Sequence, residues 1–194
     1  GIEVVPHVIC GGQSRYDIED TLIDLDFLGI HNVLALRGDA MHGDSRFRPH
    51  PEGLAHADAL VKQIVDMNAG RFIDGEPNTR HNSHFCIGVA AYPEKHVESP
   101  NMLTDMGYLK QKIDAGAEYI ATQICYDAER IIRFRDECDK AGIHVPILPG
   151  IKPFATKTQL TVLPQTFAVD LPQELVEKVI ACQDNDDVKK VGIE

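Results

Sequence analysis

An α/β fold built on parallel strands is the class this sequence predicts, and three observations predict it. Short apolar runs alternate with helix-patterned stretches along the chain, most connections between them are a few residues long, and polar side chains gather where the apolar runs end. Short connections between alternating elements favour right-handed strand–helix–strand units. In such folds chemistry sits at the C-terminal ends of strands, so those ends are the first place to look for a site. Four runs deliver polar residues there. Leu34-Ala35-Leu36 leads into Arg37-Gly38-Asp39, Ile87 to Ala91 into Tyr92-Pro93-Glu94-Lys95-His96, Tyr119 to Thr122 into Gln123, and Val145 to Leu148 into Pro149-Gly150. The pattern looks like one face of a (β/α) barrel.

The elements follow in order. Ile2 to Ile9 is expected as a strand, and Ser14 as the N-cap near a helix over roughly Asp17 to Leu28, which Gly29 stops. His31 to Leu36 is the next strand, followed by a loop over 40–53 rich in Gly, Pro and charge. Leu54 to Asn68 places Leu54, Ala57, Leu60, Val61, Ile64 and Val65 at helical spacing. After a polar loop over 70–83, Phe85 to Ala91 is a strand and Met102 to Asp114 a helix closed by Gly116. Glu118 to Cys125 is a strand, and Glu129 to Lys140 a helix stopped by Gly142. Val145 to Ile151 is the last strand, and Thr158 to Leu163 and Gln173 to Cys182 are helices.

Composition fits an enzyme domain. With 194 residues, 43% hydrophobic and 25% charged, residues 1–194 are expected to form one domain with a sizeable core. The formal charge of −11 argues against nucleic acid as a partner, because phosphate binding needs a basic surface. No apolar run approaches the roughly 18 to 20 residues that span a bilayer, and no signal peptide is recognised, so no membrane partner is expected. Cys10, Cys86, Cys125, Cys138 and Cys182 are scattered and form no CxxC pair. Neither a disulfide framework nor a metal site is expected, and a reducing cytoplasm is the simplest location. Cys10, Cys86 and Cys125 fall in apolar runs, where a thiol serves as a small hydrophobe. Five strands fall short of the eight that close a barrel of about 250 residues. An open doubly wound sheet and an incomplete barrel both remain open at this point.

Seven segments then occur in register: Pro6-His7-Val8-Ile9-Cys10, Leu34 to Asp39, Ala90 to His96, Asp114-Ala115-Gly116-Ala117, Ala121-Thr122-Gln123, Pro149-Gly150-Ile151-Lys152-Pro153 and Asp184-Asn185-Asp186. Together they resemble the methylenetetrahydrofolate reductase family, flavin-dependent (β/α)8 barrels of one-carbon metabolism and methionine biosynthesis. The resemblance runs from Val4 to the C-terminus. It implies a partial TIM-type barrel with about five of the eight strands. The family's general-acid glutamate, carried on an upstream strand, has no counterpart here, so the chain alone is expected to turn over little or nothing. The resemblance also implies FAD as cofactor, NADH or NADPH as electron donor, a folate substrate and a homo-oligomer.

Each residue has a plain reading beside the implied one. Asp39 could cap a turn; the resemblance makes it a carboxylate near the flavin and the folate pterin, a catalytic and substrate-binding residue whose charge makes the reduced flavin a better donor and favours a cationic iminium form of the folate. Arg37 and Gly38 beside it are implied flavin contacts, the glycine allowing close backbone approach. His7 could be a core histidine; the resemblance makes it a flavin contact. Tyr92 and His96 flank Pro93 and are implied to face the cofactor, with Val97, Glu98 and Ser99 as adjacent wall. Asp105 and Lys112 lie seven residues apart on one predicted helix, hence on one face. A solvated face is the plain reading; the implied one makes Lys112 a cation for flavin phosphates or ring and Asp105 a ribose-side acceptor. His56 and Ala57, at the start of their helix, are implied contacts too, although relatives often have an aromatic hydroxyl at His56. Gln123 carries both donor and acceptor groups suited to the lactam and amino edge of a pterin. Lys157 departs from the stacking aromatic of some relatives, and Phe154 is expected to take that part. No GxGxxG motif is present. That fits a family in which the reduced nicotinamide shares the folate pocket in a ping-pong cycle.

Two other classes stay open on the sequence. One is a non-catalytic flavin- or folate-binding protein. The other is an unrelated barrel lyase or methyltransferase; an aldolase would need a strand-end lysine, for which Lys152 is the candidate.

Overall fold

A computed structural model describes residues 2–40, 46–75 and 82–193. The rest of the two expected loops, 41–45 and 76–81, lies outside the described residues. The elements are β1 (His7–Ile9), α1 (Arg15–Phe27), β2 (Asn32–Leu36), α2 (Ala57–Asn68), β3 (Cys86–Ala91) and α3 (Met102–Asp114). They continue as β4 (Tyr119–Ile124), α4 (Ala128–Lys140), β5 (Ile147–Gly150), α5 (Gln159–Phe167), α6 (Gln173–Ala181) and α7 (Asn185–Val191). The strands form one sheet in the order β1-β2-β3-β4-β5, and the β1–β2 and β2–β3 pairs are parallel. Strand order that climbs one step at a time is that of a (β/α) barrel segment; a doubly wound sheet reverses at a switch point. The expected five strands and the α/β class are both met.

The chain divides into two compact units, Gly1–Ala90 with Gly107–Ile120, and Ala91–Met106 with Ala121–Glu194. In the first unit, α1 begins two residues before its expected start because Ser14 forms a capping box. Its hydroxyl accepts the Asp17 N–H at 3.1 Å, and the Asp17 carboxylate accepts the Ser14 N–H at 2.8 Å. In-register rows then sort the sheet faces. Val8, Ala35 and Val89 form one buried row, while His7, Leu34 and Gly88 form the row that faces the other way. Gly88 has no room for a side chain, since a Cβ there would stand 2.1 Å from the Tyr119 ring. The Tyr119 hydroxyl crosses to donate to the Val33 carbonyl at 3.2 Å. β1 is shorter than expected. Ile2 and Val4 are 95% and 57% exposed, and pairing with β2 begins only at Pro6, whose carbonyl accepts the Leu34 N–H at 2.9 Å.

The second unit is held by Phe154, Leu163, Val169, Val179 and Val188, with Ile124, Tyr126 and Leu175 packed against them. Asp127 caps α4 by accepting the Arg130 N–H at 3.1 Å. Helix α5 runs past its expected end at Leu163 to Phe167, and left-handed Ala168 closes it. Helix α7 was not expected. Asp184 caps it by accepting the Asp186 and Asp187 N–H groups at 2.9 and 3.0 Å, and Lys189 and Lys190 stand at the end that favours cations. No helix among the described residues is long and apolar enough to cross a membrane.

Candidate functional site

In the first unit, the candidate residues stand on main-chain scaffolding. Pairing continues past the ends of β1 and β2, with the Cys10 N–H donating to the Leu36 carbonyl at 3.1 Å and the Gly11 N–H to the Arg37 carbonyl at 2.9 Å. These bonds fix where Arg37-Gly38-Asp39 leaves the sheet. Gly38 has φ +86°, and a Cβ on it would stand 2.4 Å from Ile9 Cγ2, so only glycine fits. The Arg37 guanidinium donates through Nε to the Gly38 carbonyl at 3.2 Å and lies 4.8 Å from the Phe47 ring centre. Asp39 is exposed and makes no hydrogen bond or ion pair among the described residues. His7 is exposed at the start of β1, not enclosed in a core. His56 is the exposed N-cap of α2, and its side chain makes no hydrogen bond to the helix; Ala57 is the first helical residue. Lys112 is not on a solvated face. Its Nζ donates to the Ala90 carbonyl at 2.5 Å, near the end of β3.

In the second unit, the segment after β3 is cross-braced by side chains. Tyr92 and His96 meet edge-to-face with ring centres 4.6 Å apart. The His96 Nδ1 accepts the Glu98 N–H at 3.1 Å, so a neutral ring carries its proton on Nε2. Asp105 accepts from the His96 N–H at 3.0 Å and from the Ser99 hydroxyl at 2.6 Å, and Ser99 is buried. Val97 and Glu98 project outward. Lys95 holds φ +92°, unusual for a side-chain-bearing residue, while its Nζ donates to the His96 and Ser99 carbonyls at 2.9 and 2.6 Å. Such strain persists where surrounding bonds over-determine it, and it concentrates at functional segments.

At the end of β4, the Gln123 side-chain oxygen accepts the Ile124 N–H at 2.9 Å. A backbone N–H meets only an acceptor, so the amide is oriented and its Nε2 is directed away from that bond. Glu94 and Cys125, absent from the sequence candidates as a pair, also meet here. The thiol donates to Glu94 Oε1 at 3.6 Å, and Glu94 Oε2 accepts the Asp170 N–H at 3.0 Å. Burial pushes the Glu94 carboxyl above its ordinary value, and burial raises the Cys125 thiol as well. The signal for Glu94 was a carboxylate inside the Tyr92-to-His96 run; nothing in the sequence pointed to Asp170. Phe154 corrects an expectation. Its ring is 2% exposed in the core beside Tyr126, so it does not take the stacking role, and Lys157 donates to the Ile180 carbonyl at 3.0 Å.

The family model for methylenetetrahydrofolate reductase matches residues 1–194. The chain belongs to the methylenetetrahydrofolate reductase family. Its relatives include methylenetetrahydrofolate reductase 2 of Saccharomyces cerevisiae, 34% identical over 195 residues covering 99% of this chain and 30% of that protein. Methylenetetrahydrofolate reductase (NADH) 1 of Arabidopsis thaliana is 34% identical over 202 residues, covering 99% of this chain and 32% of that protein. A probable methylenetetrahydrofolate reductase (NADPH) of Caenorhabditis elegans is 30% identical over 195 residues, covering 100% of this chain and 27% of that protein. The chain thus spans about a third of the length of these curated relatives. The family carries both NADH-named and NADPH-named members.

Proposed function

We propose that residues 1–194 form one partial-barrel domain, the flavin- and folate-binding part of a methylenetetrahydrofolate reductase that uses NADH or NADPH in the cytoplasm as a homo-oligomer. The observation that carries this reading is the family match over residues 1–194, in a chain that sets Asp39, Tyr92 and Gln123 at or just past the ends of β2, β3 and β4.

FAD, when bound, would supply two-electron hydride exchange between the reduced nicotinamide and the bridging carbon of 5,10-methylenetetrahydrofolate, giving 5-methyltetrahydrofolate. The residues fit such a group. Gly38 leaves a cradle that any Cβ would fill, which permits close approach of the backbone to a flat ligand. The α2 N-terminus, uncapped by His56, has N–H groups suited to a phosphate. Tyr92, His96, Val97, Glu98 and Ser99 supply a contact segment, and Asp105 serves this reading by holding that segment in shape. Arg37, His7, Ala57 and Lys112 complete the cofactor contacts. Asp39 supplies negative charge toward the reacting folate carbon, and Gln123 grips the pterin edge.

FAD binding tests the reading. The purified chain should retain FAD, with its yellow absorbance, through gel filtration, and the Tyr92→Ala/His96→Ala double variant should lose most of it. Equal retention by parent and variant removes those two residues from the cofactor site.

A further inference from the structure

The end of β4 carries a bridge that the proposed function leaves unused. Thr122 is 9% exposed on β4. Its hydroxyl accepts the Gly150 N–H at 3.0 Å and donates to the Gln123 carbonyl at 2.8 Å. One hydroxyl offers one proton and two lone pairs, so both bonds form together. Gly150, the last residue of β5, lies against the same backbone: a Cβ there would stand 2.5 Å from the Thr122 carbonyl oxygen and 3.2 Å from the Ile124 nitrogen. Thr122 therefore ties β5 to the peptide that carries Gln123, and the next N–H along, that of Ile124, orients the Gln123 amide.

We propose that Thr122 is a positioning residue. Its hydroxyl locks the end of β4 so that Gln123 presents its Nε2 donors to an acceptor atom on the heteroaromatic lactam ring of the ligand. This rests on the folate reading above. The hydroxyl works by geometry and touches no ligand. Valine keeps the β-branched shape that suits a strand but strips the Gly150 N–H of its acceptor, whereas serine keeps the hydroxyl.

The test compares Thr122→Val, Thr122→Ser, Gln123→Ala and the Thr122→Val/Gln123→Ala pair in the full chain. Two readouts are used: titration with 5-methyltetrahydrofolate, and amide hydrogen exchange. Thr122→Val should weaken folate binding about tenfold, and Thr122→Ser should restore it to within about twofold. In the Gln123→Ala background, Thr122→Val should weaken binding no further, because its effect passes through Gln123. The Gly150 and Ile124 amides should exchange about tenfold faster in Thr122→Val and at parental rates in Thr122→Ser, while Gln123→Ala speeds Ile124 alone. An equal loss with and without Gln123 overturns the proposal, and so do unchanged Gly150 and Ile124 exchange rates. Should the parent chain bind no folate, the functional reading falls. The exchange rates still decide whether Thr122 locks the strand end: faster exchange supports the lock, unchanged exchange overturns it.

Discussion

The two strand ends that carry most of the candidate residues are held in different ways. After β2, main-chain bonds through Cys10 and Gly11 fix the path, and Asp39 is left exposed with no partner among the described residues. After β3, side chains do the holding. Asp105, Lys95 and His96 together bond four backbone groups of the Lys95–Ser99 stretch as well as the Ser99 hydroxyl. The difference is one of where ordering cost falls. The β3 segment is ordered by the fold before any ligand arrives, which favours tight and geometrically selective contact. The β2 end instead presents a charge whose interactions are made with whatever binds, which suits a group that acts on a developing charge.

Asp39→Asn gives the largest expected effect and breaks the comparison most directly. The amide is nearly isosteric and no bond among the described residues is lost, so stability should stay level. In a protein containing this segment and competent for turnover, the folate half-reaction should slow about a hundredfold, or about 3 kcal/mol in barrier, through loss of the charge that favours a cationic folate. Flavin reduction by the nicotinamide should suffer less, because a flavin that is easier to reduce compensates in part. Stopped-flow measurement separates the two half-reactions. Equal slowing of both, or none, removes Asp39 from the charge-stabilising role.

Asp105→Ala comes next and should show the opposite signature. The His96 N–H and the Ser99 hydroxyl both lose their acceptor, and Ser99 is 7% exposed, so water reaches it poorly. An unsatisfied buried donor costs about 1–3 kcal/mol, so a loss near 2 kcal/mol is expected. It should appear as a lower urea midpoint at unchanged slope, with weaker FAD retention. Asp105→Asn keeps an acceptor for one donor and should lose less. Parental stability in the alanine variant would put the β3 segment in the same class as the β2 end.

The same contrast explains what was legible in the sequence. Strand-end residues such as Arg37, Tyr92 and Gln123 stood out because an apolar run that stops at a polar group marks a position whatever its neighbours do. The strands of β2, β3 and β4 were readable within two residues for the same reason. Pairing partners carry no such mark. Ile2 to Val5 have the composition of a strand but pair with no strand among the described residues. Helix α7 hid because Asp184-Asn185-Asp186 read as a motif, while Asp184 also caps the seven residues Asn185–Val191. Asp105 read as a ligand contact from its helix position, yet its partners His96 and Ser99 lie six to nine residues away and could be assigned only with the turn in hand. Of the three cysteines expected to serve as small apolar groups, only Cys10 is enclosed in the core; Cys86 and Cys125 are half-buried, and the Cys125 thiol donates to Glu94 Oε1. Cys10 and Cys138 are fully buried, and burial pushes the Cys138 thiol up to about 11.

Glu94 sharpens the comparison through pH, with a smaller effect. Its folded carboxyl titrates above the ordinary value of 4.5, burial being the main cause, so the folded chain binds that proton more tightly than the unfolded chain. The sign follows. This contribution to stability is fully present below the ordinary value and is lost as pH rises through the raised folded one. Glu94→Gln removes the titration while its amide oxygen still accepts the Asp170 N–H. Relative to the parent, the variant should therefore gain stability as pH climbs through that window and hold the difference above it. Urea midpoints measured across that pH range decide it. A difference that is flat with pH shows that Glu94 is solvated in solution.

The smallest expected effect returns to the β2 end. The Arg37 guanidinium lies 4.8 Å from the centre of the partly exposed Phe47 ring. Phe47→Leu keeps apolar cover and removes the ring face that attracts the cation, which is worth about 0.5–1 kcal/mol at an exposed site. In a chain of 194 residues that corresponds to a drop in melting temperature of about 1–4 °C. Because Arg37 also donates to the Gly38 carbonyl, its position should largely survive, and FAD retention should change little. A calorimetric loss well under that of Asp105→Ala upholds the view that main chain, not side chains, fixes the β2 end. A loss as large as that of Asp105→Ala would mean that Arg37 and Phe47 brace Asp39 as firmly as Asp105 braces His96, and the contrast between the two strand ends would collapse.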